Sequence, residues 1–171
     1  MNQFSIQDLR HLNAAEGWLG LSACDEAEKE LEQITPELRT CPEVLQLRWL
    51  ICAQEKKWQA CIEIGQTLVE LKPQDSFGWI NRSYALRRTL EGGVLAAYNA
   101  LLPAVDQIKD LEQVAFNLAC YSCCLGDLDE ATEWLKRSFA AAESAGALAR
   151  RKREALEEPD LKPLWEYVRE T

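Results

Sequence analysis

Cys120, Cys123 and Cys124 crowd into the run Cys120-Tyr121-Ser122-Cys123-Cys124, the densest set of reactive side-chain types in the sequence. A CxxC spacing serves redox chemistry when it opens a helix, where the backbone dipole lowers a thiol pKa. Here it falls in mid-helix, with no histidine and no second CxxC beside it. Structural zinc needs two further ligands, and Cys24, Cys41, Cys52 and Cys61 lie in distant parts of the chain. The thiols are therefore read as small apolar side chains at helix contacts, with a thiol-dependent redox factor or enzyme as the lesser alternative. The single histidine, His11, has no nucleophile or acid at a spacing that would make it a general base, and is read as a packing or surface residue. Asp25, Glu26, Glu28, Glu30 and Glu32 suit a solvated helix face. Gly92-Gly93 matches no phosphate loop and suits a turn. No catalytic residue, no metal and no cofactor is expected.

Charge narrows the partners. Among 171 residues, 28 are acidic and 19 basic, a net charge of −9, whereas nucleic-acid binding needs a basic face. The only basic run, Arg150-Arg151-Lys152-Arg153, is too short to reverse this and is read as a charged outer face. Apolar residues make up 47%, the balance of a globular chain, and the length fits one domain over 1–171. No apolar run reaches a membrane span of roughly 18 residues, and the opening MNQFSIQDLR lacks an export signal. Seven cysteines, an odd count, argue against a secreted disulfide framework. A cytoplasmic protein is expected, with no membrane partner.

The elements that would position any site repeat themselves. SACDEAEKELEQI, KKWQACIEIGQTL, GGVLAAYNALLPA and GDLDEATEWLKRS each carry an apolar anchor, at Cys24, Trp58, Val94 and Leu128. The anchors are 34, 36 and 34 residues apart, and a small residue follows three places later: Ala27, Cys61, Ala97 and Ala131. A small side chain there lets two helices cross closely. Trp58, Cys61, Ile62, Gly65, Leu68 and Val69 form one apolar stripe at helical spacing, and Leu128, Ala131, Leu135, Ser138, Phe139 and Ala142 follow the same face with Ser138 the one polar entry. Pro42 and Pro73 fall between units, and Gly126 at an internal turn. Ser5 and Asp8 form a capping-box pattern. The period predicts helix pairs over 8–41, 42–75, 76–111 and 112–144, the third longer by two residues near Glu91-Gly92-Gly93. Residues 145–171 are expected to form capping helices, with Leu156, Leu161, Leu164, Trp165 and Val168 turned inward.

FNLACYSCCLGDLDEATEWLKRSFA resembles a tetratricopeptide repeat (TPR), and Trp79, Ala97 and Leu101 extend the likeness to the third unit. LRTCPEVLQLRWLICAQEKKW, GWINRSYALRR and EEPDLKPLW are similar to segments of small bacterial TPR proteins without an assigned activity. That resemblance implies an all-α, right-handed superhelix of about four helix pairs with C-terminal caps. Arg48 and Arg82 depart from it, standing where the repeat carries a buried leucine: either those helices are rotated or the arginines pair with acidic neighbours.

In the family, the slot eleven residues before each turn anchor faces the concave groove. It holds Asn13, Asn81 and Asn117 here, with Leu47 in the second unit. A carboxamide offers both donor and acceptor to a bound peptide backbone. Tyr84, Arg88, Phe116 and Cys120 are expected beside them. The lysine–asparagine set of chaperone-carboxylate clamps is absent, since the first-unit slots are Leu12 and Glu16. The expected function is a non-catalytic scaffold that binds a protein or peptide segment in its groove. A secretion-type chaperone for an exported substrate is the alternative. Self-association is also open to it, through another copy's tail entering between Tyr84 and Phe116.

Overall fold

A computed structural model describes residues 3–171. Among the described residues there are α-helices and short 3-10 turns but no strand. The helices follow in pairs: α1 (Ile6–Gly20) with α2 (Cys24–Leu31), α3 (Pro42–Gln54) with α4 (Trp58–Leu71), α5 (Ser76–Leu86) with α6 (Gly93–Leu101), and α7 (Glu112–Leu125) with α8 (Leu128–Ala140). Then come α9 (Ala145–Glu157), a 3-10 turn over Pro159–Leu164, and α10 (Trp165–Glu170). The second helix of each pair also packs on the one that follows it, so the array is all-α and repetitive.

Local chemistry sets the helix starts. The Ser5 hydroxyl accepts from Asp8 N at 3.1 Å while Asp8 Oδ2 accepts from Ser5 N at 2.9 Å, the reciprocal box the sequence predicts. Asp75, Asp127 and Ser144 cap α5, α8 and α9 by accepting from Phe77, Glu130 and Ala147 N. Pro42 opens α3, where a missing N–H costs nothing. Turns inside the pairs pass through left-handed backbone at Ser22 (φ 58°), Lys56 (φ 57°), Gly93 (φ 77°) and Gly126 (φ 86°). Gly126 adopts this freely; Ser22 and Lys56 bear a Cβ there and are strained. The two additional residues of the third pair fall between α5 and α6. A Cβ on Gly92 would lie 2.2 Å from Leu86 O, so only glycine closes that turn.

Ala27, Cys61, Ala97 and Ala131 are each 0% exposed, which is the close helix crossing their size allows. Three apolar clusters follow the chain. One joins α1, α2 and α3, through Leu19, Leu31, Ile34 and Val44. A small one holds Trp49, Cys61 and Ala85. The largest runs from α4 to α10 and includes Val69, Leu101, Leu118, Leu135, Leu161, Leu164 and Val168.

Polar ties cross between helices. Glu130 accepts from Tyr98 Oη (2.6 Å) and from the buried Ser122 hydroxyl (2.7 Å), and Ser138 donates to Glu112 O at 2.7 Å. At the N-terminal end Asp8 Oδ1 accepts from Thr35 N and Oγ1 at 2.8 and 2.9 Å, tying α1 to the segment after α2. These bonds, the one from the Ser5 hydroxyl foremost, hold the Asp8 carboxyl well below the usual carboxylate range.

The two departing arginines are resolved differently. Arg48 pairs with Glu32 and, at 3.4 Å, with Glu28 on α2. Arg82, in the same slot one unit on, makes no ion pair among the described residues; the Nε of both arginines is buried without a partner. Helices α4 and α5 approach closely at this point because Gly65 faces Arg82: a Cβ on Gly65 would stand 2.8 Å from Arg82 Cβ. Leu31, Leu101 and Leu135 occupy the Gly65 position in the other units and are all fully buried.

Candidate functional site

The first helices of the pairs share one row of side chains: Glu16, Leu50, Tyr84 and Cys120, spaced 34, 34 and 36 residues apart. Two adjoining hollows open along it. The first, about 610 Å³, is lined by Glu16, Leu19 and Gly20 of α1, by Leu47, Trp49, Leu50, Ala53 and Gln54 of α3, and by Trp58, Asn81 and Tyr84. The second, about 460 Å³, is lined by Tyr84, Arg87, Arg88, Asn117, Cys120 and Tyr121, with Glu158, Pro159 and Asp160 as its far wall. Tyr84 belongs to both and is 40% exposed.

Aromatic rings stiffen the boundary between them. Tyr84 meets Trp49 and Trp58 edge-on, with ring centroids 6.2 and 6.1 Å apart. The Arg88 guanidinium lies over Tyr84, 3.2 Å from its centroid, and 5.5 Å from that of Trp58, with Nη1 donating to Tyr84 O at 3.1 Å. Arg87 points the other way. It clasps Asp160 through both carboxylate oxygens, Nη2 donating to Oδ1 at 3.0 Å, and stands 5.7 Å over the Tyr121 ring. That contact holds the Asp160 carboxyl below its ordinary range.

Of the seven residues expected at the site, the structure gathers some and buries others. Asn81 and Tyr84 line the first hollow; Tyr84, Arg88, Asn117 and Cys120 line the second. Asn81 already donates to Phe77 O at 2.9 Å, and Asn117 Oδ1 accepts from Gln113 at 3.1 Å, leaving each carboxamide further hydrogen-bonding capacity. Asn13 is exposed on α1 but lines neither hollow. Phe116 lines neither hollow: it is 6% exposed and lies in the core, with Arg151 of α9 over its ring at 4.8 Å. Cys120 contributes an edge only, being 5% exposed.

The cysteine cluster is not poised for thiolate chemistry. Burial pushes the Cys123 thiol up to about 11, and Cys120 higher still, with Glu158 and Asp160 adding to the shift. Cys124 is exposed, yet it too is raised, by partial burial and then by Asp160. An activated thiol needs the opposite shift. His11 bridges helices, its Nδ1 bonded to Glu30 at 2.7 Å and its Nε2 to Gln7. Among the described residues no cluster of three His, Cys, Asp or Glu could hold a metal. None of the described helices is long and apolar enough to cross a membrane.

Trp49, Leu50 and Trp58 were not singled out for this face from sequence, although Leu50 repeats Tyr84 at the 34-residue period. The tail corner Glu158–Asp160 carried no signal at all, since its partner Arg87 is 73 residues away.

No family model matches the chain, and no curated protein matches it significantly. Among solved structures, the crystal structure of a thermophilic TPR protein of Thermus thermophilus is similar at a TM-score of 0.65 and 20% sequence identity. The match covers 96% of this chain and 100% of that one. The fold is therefore that of a TPR protein.

Proposed function

We propose that the chain is a non-catalytic scaffold that binds an extended protein or peptide segment along the row made by α1, α3, α5 and α7. Its divisions are the units 8–41, 42–75, 76–111 and 112–144 with the cap 145–171, together one domain. The observation that carries this role is the pair of adjoining hollows, apolar and aromatic at one end and polar at the other, walled by positions that recur at the repeat period. Stacked helix pairs serve as extended binding surfaces, and that step from fold to function is an analogy. Asn81 and Asn117 supply backbone hydrogen bonds, Tyr84 and Arg88 read side chains, and Cys120 backs the floor. Asn13 extends the row toward the N-terminal end. The acidic charge favours a protein partner over nucleic acid, and the odd cysteine count favours the cytoplasm.

The test is the double variant Asn81→Ala, Asn117→Ala. A net hydrogen bond is worth roughly 0.5–1.5 kcal/mol, so the affinity of a true ligand should fall about tenfold. The melting temperature should move little, because both carboxamides sit at the wall of an open hollow. Retained affinity with lost stability would make the asparagines structural and remove the support for this face.

A further inference from the structure

Arg87 and Arg88 leave the end of α5 side by side in sequence and meet different fates. Arg87 is neutralised within the chain by Asp160. Arg88 is exposed and forms no ion pair among the described residues; its one hydrogen bond goes to its own Tyr84 carbonyl. A guanidinium carries five N–H donors, so most of its capacity is unspent. It does not sweep freely like an ordinary surface arginine, being stacked on Tyr84 beside Trp58 at the seam between the two hollows. Fixing a long side chain in advance lowers the entropy lost when a ligand pairs with it. An aromatic shelf also excludes water from one side of the cation and strengthens its field.

Charge changes sign between Glu16, which lines the first hollow, and Arg88, which lines the second. The α1 end of the first hollow carries Glu16, its middle is Leu19, Leu47, Trp49 and Leu50, and its α5 end reaches Arg88's shelf. The neighbouring Arg87–Asp160 clasp shows, inside this molecule, the kind of group that the end of α5 accepts: a carboxylate on an extended corner of chain, with Pro159 before it.

We propose that the Trp58–Tyr84–Arg88 shelf is an acid-reading subsite for a protein partner. Its occupant is an extended segment with an aspartate or glutamate a few residues from a large apolar or aromatic side chain. The apolar side chain lies in the first hollow, and the carboxylate pairs with Arg88. Glu16 at the far end repels a second acid, so the subsite also sets the direction in which the segment runs. This rests on the binding role proposed above and adds the ligand's chemistry to it.

The experiment selects random peptides displayed on phage against the immobilised full chain. The best binder is then synthesised and titrated calorimetrically against wild type, Arg88→Ala, Arg88→Lys and a control, Arg137→Ala, whose guanidinium lies over Trp134 on α8. Circular dichroism confirms that each variant is folded. The expected binders carry an acid near an apolar or aromatic residue. Affinity should fall about tenfold or more in Arg88→Ala and equally when the peptide's acid becomes its amide. Arg88→Lys should lie between, since it keeps the charge and loses the planar stack. Arg137→Ala should bind as wild type, and rising salt should weaken binding to wild type more than to Arg88→Ala. Binders without an acid, or an Arg88→Ala protein that binds as tightly as wild type, would overturn the acid-reading subsite. If those same binders are lost in Asn81→Ala, Asn117→Ala, the broader binding role survives alone. If no peptide binds at all, both fall. Concentration-dependent self-association abolished by Arg88→Ala would make a second copy the occupant and overturn the proposal.

Discussion

The two ends of the array close in opposite ways. At the C-terminal end, α9, the 3-10 turn and α10 bury Ala155, Leu161, Leu164 and Val168 inside the largest apolar cluster, the turn against α7 and α8 and α9 against α8. Arg151, itself buried, ties α9 to Glu112 at 2.9 Å. At the N-terminal end, among the described residues, no further helix covers the outer side of α1. Ile6 and Leu21 are 75% and 74% exposed, with Leu9 and Trp18 also open, and the apolar cluster that α1 shares with α2 and α3 is backed by the Asp8 bonds to Ser5 and Thr35. One end is sealed by an added layer of apolar area, which acts at any pH; the other joins the apolar packing of its own pair to a carboxylate latch that works only while ionised.

The severest way to break this contrast is to end the chain at Ser144. Without its cover the C-terminal end should aggregate or lose cooperative unfolding, read by light scattering and thermal melts. A monomer melting like the full chain would show that 145–171 is no cap. Next in size, Leu161→Ala should cost about 2–5 kcal/mol in urea unfolding, as expected for a fully buried leucine. Its counterpart Leu21→Ser, at the open end, should stay within about 0.5 kcal/mol. Equal costs at both positions would mean that something covers α1 in solution.

Asp8→Asn sharpens the comparison through pH. The folded carboxyl titrates below its unfolded value of about 3.9, so its contribution is whole above about pH 4 and fades as pH falls. The gap in urea midpoint between wild type and Asp8→Asn should be full at neutral pH and close under acid, whereas the Leu161→Ala gap should persist. Smallest are the turn exchanges. Gly126→Ala places a Cβ in left-handed backbone and should cost about 1 kcal/mol; Ser22→Gly removes one from the matching turn and should gain about 0.5 kcal/mol.

Much of the architecture was legible because the signals are local and periodic. Ala27, Cys61, Ala97 and Ala131 repeat at one slot, and backbone sterics fix what a small residue means between crossing helices. Ser5 and Asp8 are three residues apart, within reach of any helix start. The site was legible only in part. Asn81, Tyr84, Arg88 and Asn117 border the hollows because repeat phase alone places them. Phe116 has the same phase yet is buried, because what covers it is α9, a helix outside the period. The Arg87–Asp160 wall was invisible for the same reason: pairing over 73 residues depends on how the tail returns, which no spacing encodes. The arginine slot was not legible from spacing either, since Arg48 pairs with Glu28 and Glu32 while Arg82 makes no ion pair among the described residues.

The glycine that faces Arg82 bears on how freely the units could trade places. Leu31, Leu101 and Leu135 are interchangeable in kind, and a chain of such joints could be lengthened or reshuffled by duplication. The joint between α4 and α5 is not of that kind: Gly65 lets α5 come close at Arg82, 17 residues downstream in the next unit. Gly65 cannot take the common leucine whatever side chain stands at position 82, because the atoms a Cβ would meet there are backbone and Cβ, so the second and third units meet at a spacing of their own. The array is least interchangeable at its middle, beside the one stretch where the ring-lined hollow spans three units.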